Sequence, residues 1–321
     1  MISNKELLRK ATLTTDDFGE GSAPLTVEQV KEFIKLMSAD KVFLEDARRV
    51  TSNAAKWEES IVDFGGRITH KGVQGTRLAD QDRAKPKLGN VEISTVLLRA
   101  EVPVSDESLE DNVAEEGFAN DLEQLIADQF GYDVEELLLT GDTGSSDEFL
   151  ALLDGWLVQA QGADGHVVDA SNEGQDYQSV FKQLLQSIPN RHKRNLRTDG
   201  RYYVPVTLEE NYRDILSARG TPLGDLTLTG NSELRYQGIL IKGAPTMPIH
   251  DDETAEVLLA NKNNLYAGFR RSMTMETFRD PREGATSFIV TARVDSKIAI
   301  PDATAIATDV DVSISDSGSG S

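Results

Sequence analysis

"NVAEEGFANDLEQLIADQFGYDVEELLLTGD", Asn112 to Asp142, is the most regular stretch of the chain. Asn112 with Glu115 three residues on has the spacing of a capping box, in which each side chain satisfies a backbone N–H at a helix start. Phe118, Leu122, Leu125, Ile126, Phe130, Val134, Leu137 and Leu138 then fall in steps of three and four along one face. The pattern predicts a helix over Val113–Thr140, about 40 Å long at 1.5 Å per residue. Gly131 inside it costs about 1 kcal/mol relative to alanine and leaves room for a bend. Gly141 is placed as a C-cap. Beyond it, Gly141, Gly144 and the Ser145–Ser146 pair resemble a phosphate cradle, but a phosphate loop follows a strand and opens a helix. Here the glycines follow a helix, whose negative end repels anions, as do Asp142, Asp147 and Glu148. The cluster reads as a helix stop.

Upstream, the character is different. "GGRITHKGVQGTRLADQDRAKPKLGNVEISTVLLRAEVPV" is polar in its middle and alternates at its end, where Val91, Ile93, Thr95 and Leu97 keep period two. Residues 62–104 therefore read as a long hairpin arm. An isolated two-stranded ribbon is marginal in water, and its edges invite another chain. Its charged residues, Arg67, Lys71, Arg77, Asp80, Asp82, Arg83, Lys85 and Lys87, are candidates for inter-subunit contact. Residues 1–50 read as an N-terminal arm with one helix, capped by Thr26 and Gln29 and striped by Val27, Val30, Phe33, Ile34 and Met37. A connector at 51–61 joins the two arms.

Downstream, "FLALLDGW" is a short apolar connector. Residues 161–247 alternate helix and strand: a helix through Tyr177, Val180, Phe181, Leu184 and Ile188, a strand at "RYYVPV", a helix capped by Thr207 and Glu210 with Gly220 past its end, and a strand at "GILIKGAPTMP". The short β-runs of 248–310 predict an antiparallel sheet, and 311–321 a flexible tail.

Composition bounds the function. The 321 residues hold 54 acidic against 33 basic side chains, net −21, with 39% hydrophobic. That balance gives no electrostatic attraction to DNA or an anionic membrane. The acidic residues read as spread along the whole chain and not as an acidic tail, and the net charge predicts a halophilic host, because at molar salt the screening length is about 3 Å and self-repulsion fades. No run approaches the ~18 apolar residues of a membrane helix, and the N-terminus has no signal core, which predicts a soluble, non-exported protein. The absence of cysteine excludes disulfides, thiolate zinc sites and a cysteine nucleophile.

Catalytic patterns are missing too. His70, His166, His192 and His250 are scattered, with no second histidine at i+2 to i+4, "HDDE" at 250–253 reads as a polar turn, and "DESLED" at 106–111 as a solvated helix start. No Gly-x-Ser-x-Gly, Gly-x-Gly-x-x-Gly or His-Glu-x-x-His occurs. The one dense basic run is "RHKRNLR", with Arg191, His192, Lys193, Arg194 and Arg197. It reads as a loop after a helix, whose negative end favours cations, or as a salt-bridge partner for an acidic neighbouring subunit. No aromatic alternates with it, as contact with single-stranded nucleic acid would require. Neither cofactor nor metal is expected. Arms, a long helix and an acidic surface describe a building part.

The element order resembles the major capsid proteins of tailed double-stranded DNA viruses, the Hong Kong 97-type fold. It is carried by "EVPVSDESLEDN…FANDLEQLIADQFGYDVEELLLTGD…FLALLDGW" and by "LYAGFRRSMTMETFRDPREGATSFIVTARVDSKIAIPDA", with Arg293, Asp295 and Pro301–Asp302–Ala303. The resemblance implies an α+β fold with an N-arm (1–50), an extended E-loop (62–104), a P-domain (105–160 and 248–310) with a spine helix at about 113–140, and an α/β A-domain (161–247). It implies pentamers and hexamers of an icosahedral shell, assembled in the host cytoplasm, that encloses DNA without binding it specifically. Partners would be other copies, a portal, a separate scaffold or protease, and decoration proteins, with no membrane. Encapsulins, shells around protein cargo, share the fold. Some relatives join an E-loop lysine to a neighbour's asparagine; Lys71, Lys85 and Lys87 lie in that segment, but no catalytic acid can be matched. An acidic α/β enzyme with a dispersed site is the alternative of another class.

Overall fold

The computed structural model describes residues 41–54, 56–63, 69–71, 75, 77, 87–105, 118–171, 176–217, 233–250, 253–270, 274–282 and 284–312. In chain order the elements are α1 (Val42–Asp46), β1 (Arg48–Ser52), β2 (Lys56–Asp63), β3 (Lys87–Ser94), β4 (Val96–Ser105), α2 (Phe118–Thr140), α3 (Trp156–Ala160), β5 (His166–Asp169), α4 (Tyr177–Ser187), α5 (Asn190–Asp199), β6 (Gly200–Pro205), α6 (Val206–Ser217), β7 (Arg235–Tyr236), β8 (Ile239–Ala244), β9 (Thr254–Asn261), β10 (Leu265–Arg270), β11 (Thr274–Asp280), β12 (Ala285–Ile298) and β13 (Ala305–Asp311). They build a five-stranded sheet (β1-β10-β12-β11, with β4 also on β12), a six-stranded sheet (β5-β13-β9-β6-β8-β7) and the separate pair β2–β3.

The six-stranded sheet is a wall between two cores. Along β9, Leu258 and Ala260 face one core while Val257 and Leu259 face the other, and Tyr203 and Tyr202 divide in the same way on β6. A strand covered on both faces needs consecutive apolar residues, which "VLLA" supplies. This corrects the expectation that 248–310 form one sheet. β9 and β13 join the wall, while β10, β11 and β12 enter the five-stranded sheet. The long helix α2 packs on the first core through Phe130, Val134, Leu137 and Leu138; the start predicted at Val113 lies outside the described residues.

The glycine cluster is a stop sealed by backbone. Gly141 N–H donates to Leu137 O at 3.0 Å, Asp142 N–H to Leu150 O at 2.8 Å, and Gly155 N–H to Gly141 O at 2.7 Å. A Cβ on Gly155 would lie 2.4 Å from Leu139 O and 2.8 Å from Gly141 N. Gly155→Ala is therefore expected to cost about 1–3 kcal/mol through forced backbone movement, read as a lower denaturation midpoint with an unchanged m-value.

Other boundaries shift for identifiable reasons. Residues 96–104, predicted as arm, belong to β4, which runs against β12 from Val96↔Val294 to Ser105↔Ala285. Burial falls on Ile93 and Thr95 and then on Leu98, so the alternation slips one residue and turns the strand onto the body. Residues 41–50, predicted as N-arm, form α1 and most of β1, with Phe43 and Leu44 fully buried; the Thr26–Met37 helix lies outside the described residues. The basic run predicted as a loop is the helix α5, anchored by buried Leu196. Thr207 falls inside α6, which begins at Val206, and Gly220 lies outside the described residues. The predicted tail starts too early, since Asp311 pairs with Thr254 and Val312 is buried, its carbonyl accepting from Tyr177 and Asn211.

Candidate assembly interface

β2 and β3 pair with each other from Lys56↔Ser94 to Asp63↔Lys87 and with no other described strand. Among the described residues, the arm is seated at its base. There Val50, Ile93 and Tyr266 form a small apolar cluster of their own, with Trp57, Val91 and Ala299 packed against it. Gly268 on β10 makes the seat, because a Cβ there would lie 2.6 Å from Ile93 Cγ2 and 3.6 Å from Trp57. Beside it Asp295, 3% exposed on β12, accepts from Ser94 N–H at 2.6 Å and Ser296 N–H at 2.9 Å. It thus fixes the backbone where β3 hands over to β4. Burial pushes the Asp295 carboxyl up, against the pull of those N–H groups and of Lys297.

The N-terminal chain enters at a second junction. Glu135 of α2, 1% exposed, accepts from Phe43 N–H and Leu44 N–H, each at 3.0 Å, and from the Thr246 hydroxyl at 2.8 Å. Burial drives its pKa up, while the Leu44, Thr246 and Phe43 donors and Lys41 oppose the shift. Lys41, itself buried, pairs with Asp128 and lies 3.5 Å over the Tyr132 ring. Asp46 receives Tyr203 Oη at 3.2 Å and Lys242 Nζ at 3.1 Å, and Phe43 stacks on Tyr203. One short segment therefore ties the long helix to the six-stranded sheet.

Of the arm residues singled out in the sequence, Lys71 and Arg77 are exposed and Lys87 opens β3 opposite Asp63. Arg67, Asp80, Asp82, Arg83 and Lys85 lie outside the described residues. The basic run divides. Arg191 and His192 turn to Asp302, which also meets His166 Nε2 at 3.2 Å, while Arg194 and Arg197 are exposed. Burial works to raise the Asp302 carboxyl, but Arg191, His192 and His166 hold it below its ordinary value. The charge is not evenly spread, which corrects that reading: Asp106 to Asp154 holds sixteen acidic residues and no lysine or arginine. From Phe64 to Lys87 there are six basic residues against two acidic.

Comparison with known proteins decides what this architecture belongs to. The model of the phage capsid family matches residues 21–309. The chain belongs to the phage capsid family. It is 30% identical over 311 residues, 95% of this chain and 98% of the other, to the putative prophage capsid protein YqbE of Bacillus subtilis strain 168. Among solved structures it resembles the satellite phage P4 procapsid, with a TM-score of 0.69, 15% identity, and coverage of 98% of this chain and 100% of that one. It also resembles the SrpI encapsulin of Synechococcus elongatus PCC 7942, with a TM-score of 0.59, 13% identity, and coverage of 94% and 97%. The fold is of the Hong Kong 97 type, and the chain is a structural major capsid protein of a virion.

Sequence reading missed the residues that carry this phage capsid protein's two junctions. Glu135 sits in the apolar register beside Val134, Leu137 and Leu138, and Gly268 interrupts an apolar strand. Both are polar or empty positions where a core residue was due.

Proposed function

We propose that copies of this chain close as pentamers and hexamers into an icosahedral shell around packaged double-stranded DNA, assembled in the host cytoplasm and without catalysing a reaction. In this reading 56–94 is the E-loop, α2 and the five-stranded sheet form the P-domain, and α4 to β8 lie in the A-domain around the capsomer centre. The segment before Lys41 is the N-arm. A portal, a separate scaffold or protease, and decoration proteins complete the particle.

The observation that carries the reading is the β2–β3 arm, held at its root and paired with no other described strand. An unpaired ribbon is stable when a second copy lies under it. The net charge of −21 suits a halophilic host, in whose salt the self-repulsion is screened. An acidic inner wall would repel DNA and leave it free to move during packaging and ejection.

Electron microscopy of the purified protein tests the proposal. Closed shells are expected, and a monodisperse monomer of 35.2 kDa would overturn it. Particles that hold protein instead of DNA after expression in the host would turn the reading toward a cargo compartment. With net −21 per copy, lowering salt from about 150 mM to about 10 mM lengthens the screening distance from ~8 to ~30 Å. Shells are expected to loosen over that range, seen as falling light scattering.

A further inference from the structure

We propose that the cationic face of α5 is the surface by which each copy grips the acidic stretch 124–154 of the next copy. The inference rests on the assembly reading above and names its charged contact. α5 packs on the six-stranded sheet by Leu196. Its first turn is held in place by Asp302, which takes Arg191 and His192 together with His166 from β5. Asp302 thereby neutralises one end of the helix and leaves the other. Arg194 and Arg197 are exposed, Lys193 is half-buried, and none of the three forms an ion pair among the described residues.

A solvated cationic face is ordinary on a balanced protein. On a chain of net −21 it is a concentrated exception, and the same chain carries its complement. Of the carboxylates in 124–154, only Asp128 makes an ion pair among the described residues, with Lys41. Glu136, Asp147 and Glu148 are exposed. Two different, complementary surfaces on one molecule associate head to tail, and such contacts form a ring when the rotation between copies closes. α5 borders a cleft of about 370 Å³ with His192, Asn195 and Asp199, shared with Tyr266 and Ala299 at the arm root, while Lys193, Arg194 and Arg197 lie outside it. DNA fits the face less well, because the net charge repels phosphate.

Two measurements test this on the full-length chain. Arg194→Glu with Arg197→Glu is expected to raise the concentration at which capsomers form about tenfold or more, with an unchanged thermal melt of the dispersed chain. Adding Glu136→Lys and Glu148→Lys is expected to recover part of that loss. In shells mixed from isotope-labelled and unlabelled copies, a carbodiimide is expected to join Lys193 of one copy to a carboxylate within 124–154 of another. Should the reversal variant fail to fold, Arg194→Gln with Arg197→Gln and the Lys193 coupling carry the test. Capsomers forming at the wild-type concentration, Lys193 coupling only outside 124–154, or a defect confined to DNA retention would each overturn the contact. A wild-type chain that builds no particle would overturn the assembly reading itself, an outcome distinct from a variant-specific defect.

Discussion

Ile93→Asp is expected to yield a folded chain that builds no closed shells. Ile93 is 1% exposed, in a cluster separate from both main cores, so a carboxylate there disrupts the arm root and leaves the two cores intact. The local loss is the burial of an isoleucine, about 1.5–3 kcal/mol, plus the refusal of the cluster to solvate an unpaired charge. Circular dichroism and the main melting transition should change little. Assembly should fall at least about tenfold per 1.4 kcal/mol lost from each contact, and every copy repeats that contact. Gly268→Val attacks the same seat from the sheet side and should reproduce the defect, because its side chain displaces Ile93 and Trp57. Normal shells from both variants would show that the arm needs no fixed root.

Glu135→Ala should act in the opposite way, on the fold itself. It strands the Phe43 and Leu44 N–H groups and the Thr246 hydroxyl in a buried site. At about 1–3 kcal/mol per unsatisfied buried group, partly relieved by relaxation, the loss should be about 3–5 kcal/mol. That corresponds to about 5–8 °C in Tm for a chain of this length. The pH dependence follows from its raised pKa. A carboxyl that titrates higher in the folded state than in the unfolded one holds its proton more tightly when folded. Its contribution is therefore greatest below the ordinary value of 4.5 and is lost as pH rises through the raised value. Asp295 and Glu256, also pushed up first by burial, add in the same sense. Asp154, held low by the Thr143 hydrogen bonds, works the other way, but only as pH falls through its lowered value, below the ordinary 3.8. Tm should therefore rise as pH falls toward the ordinary 4.5, and Glu135→Gln should flatten that slope. An unchanged slope would remove Glu135 from the titration.

The parts of the fold legible in the sequence were those with a local period. α2 and α4 announce themselves by apolar steps of three and four, and "RYYVPV" by its β-rich run. The hidden parts were tertiary. Nothing local in "EVLLAN" says that β9 will sit in a sheet with 161–247 and not with its sequence neighbour β10; its consecutive apolar residues say only that both faces are covered. The one-residue slip at Thr95 is written in the change from odd to even apolar positions, but it becomes a corner only because β12 is there to receive Leu98 and Ala100. α5 was hidden because its sole buried residue, Leu196, gives no periodicity. The arm was legible by the poverty of its centre. Its root was not, since Gly268 and Asp295 lie far along the chain from Ile93 and Ser94.

The strand order also sets when the molecule is finished. β12 is the strand to which β4, β10 and β11 all bind, and β9 and β13 stand inside the wall between β5 and β6. All three come from the last quarter of the polypeptide. Both sheets are therefore completed only by strands that follow the limbs and the long helix in the sequence.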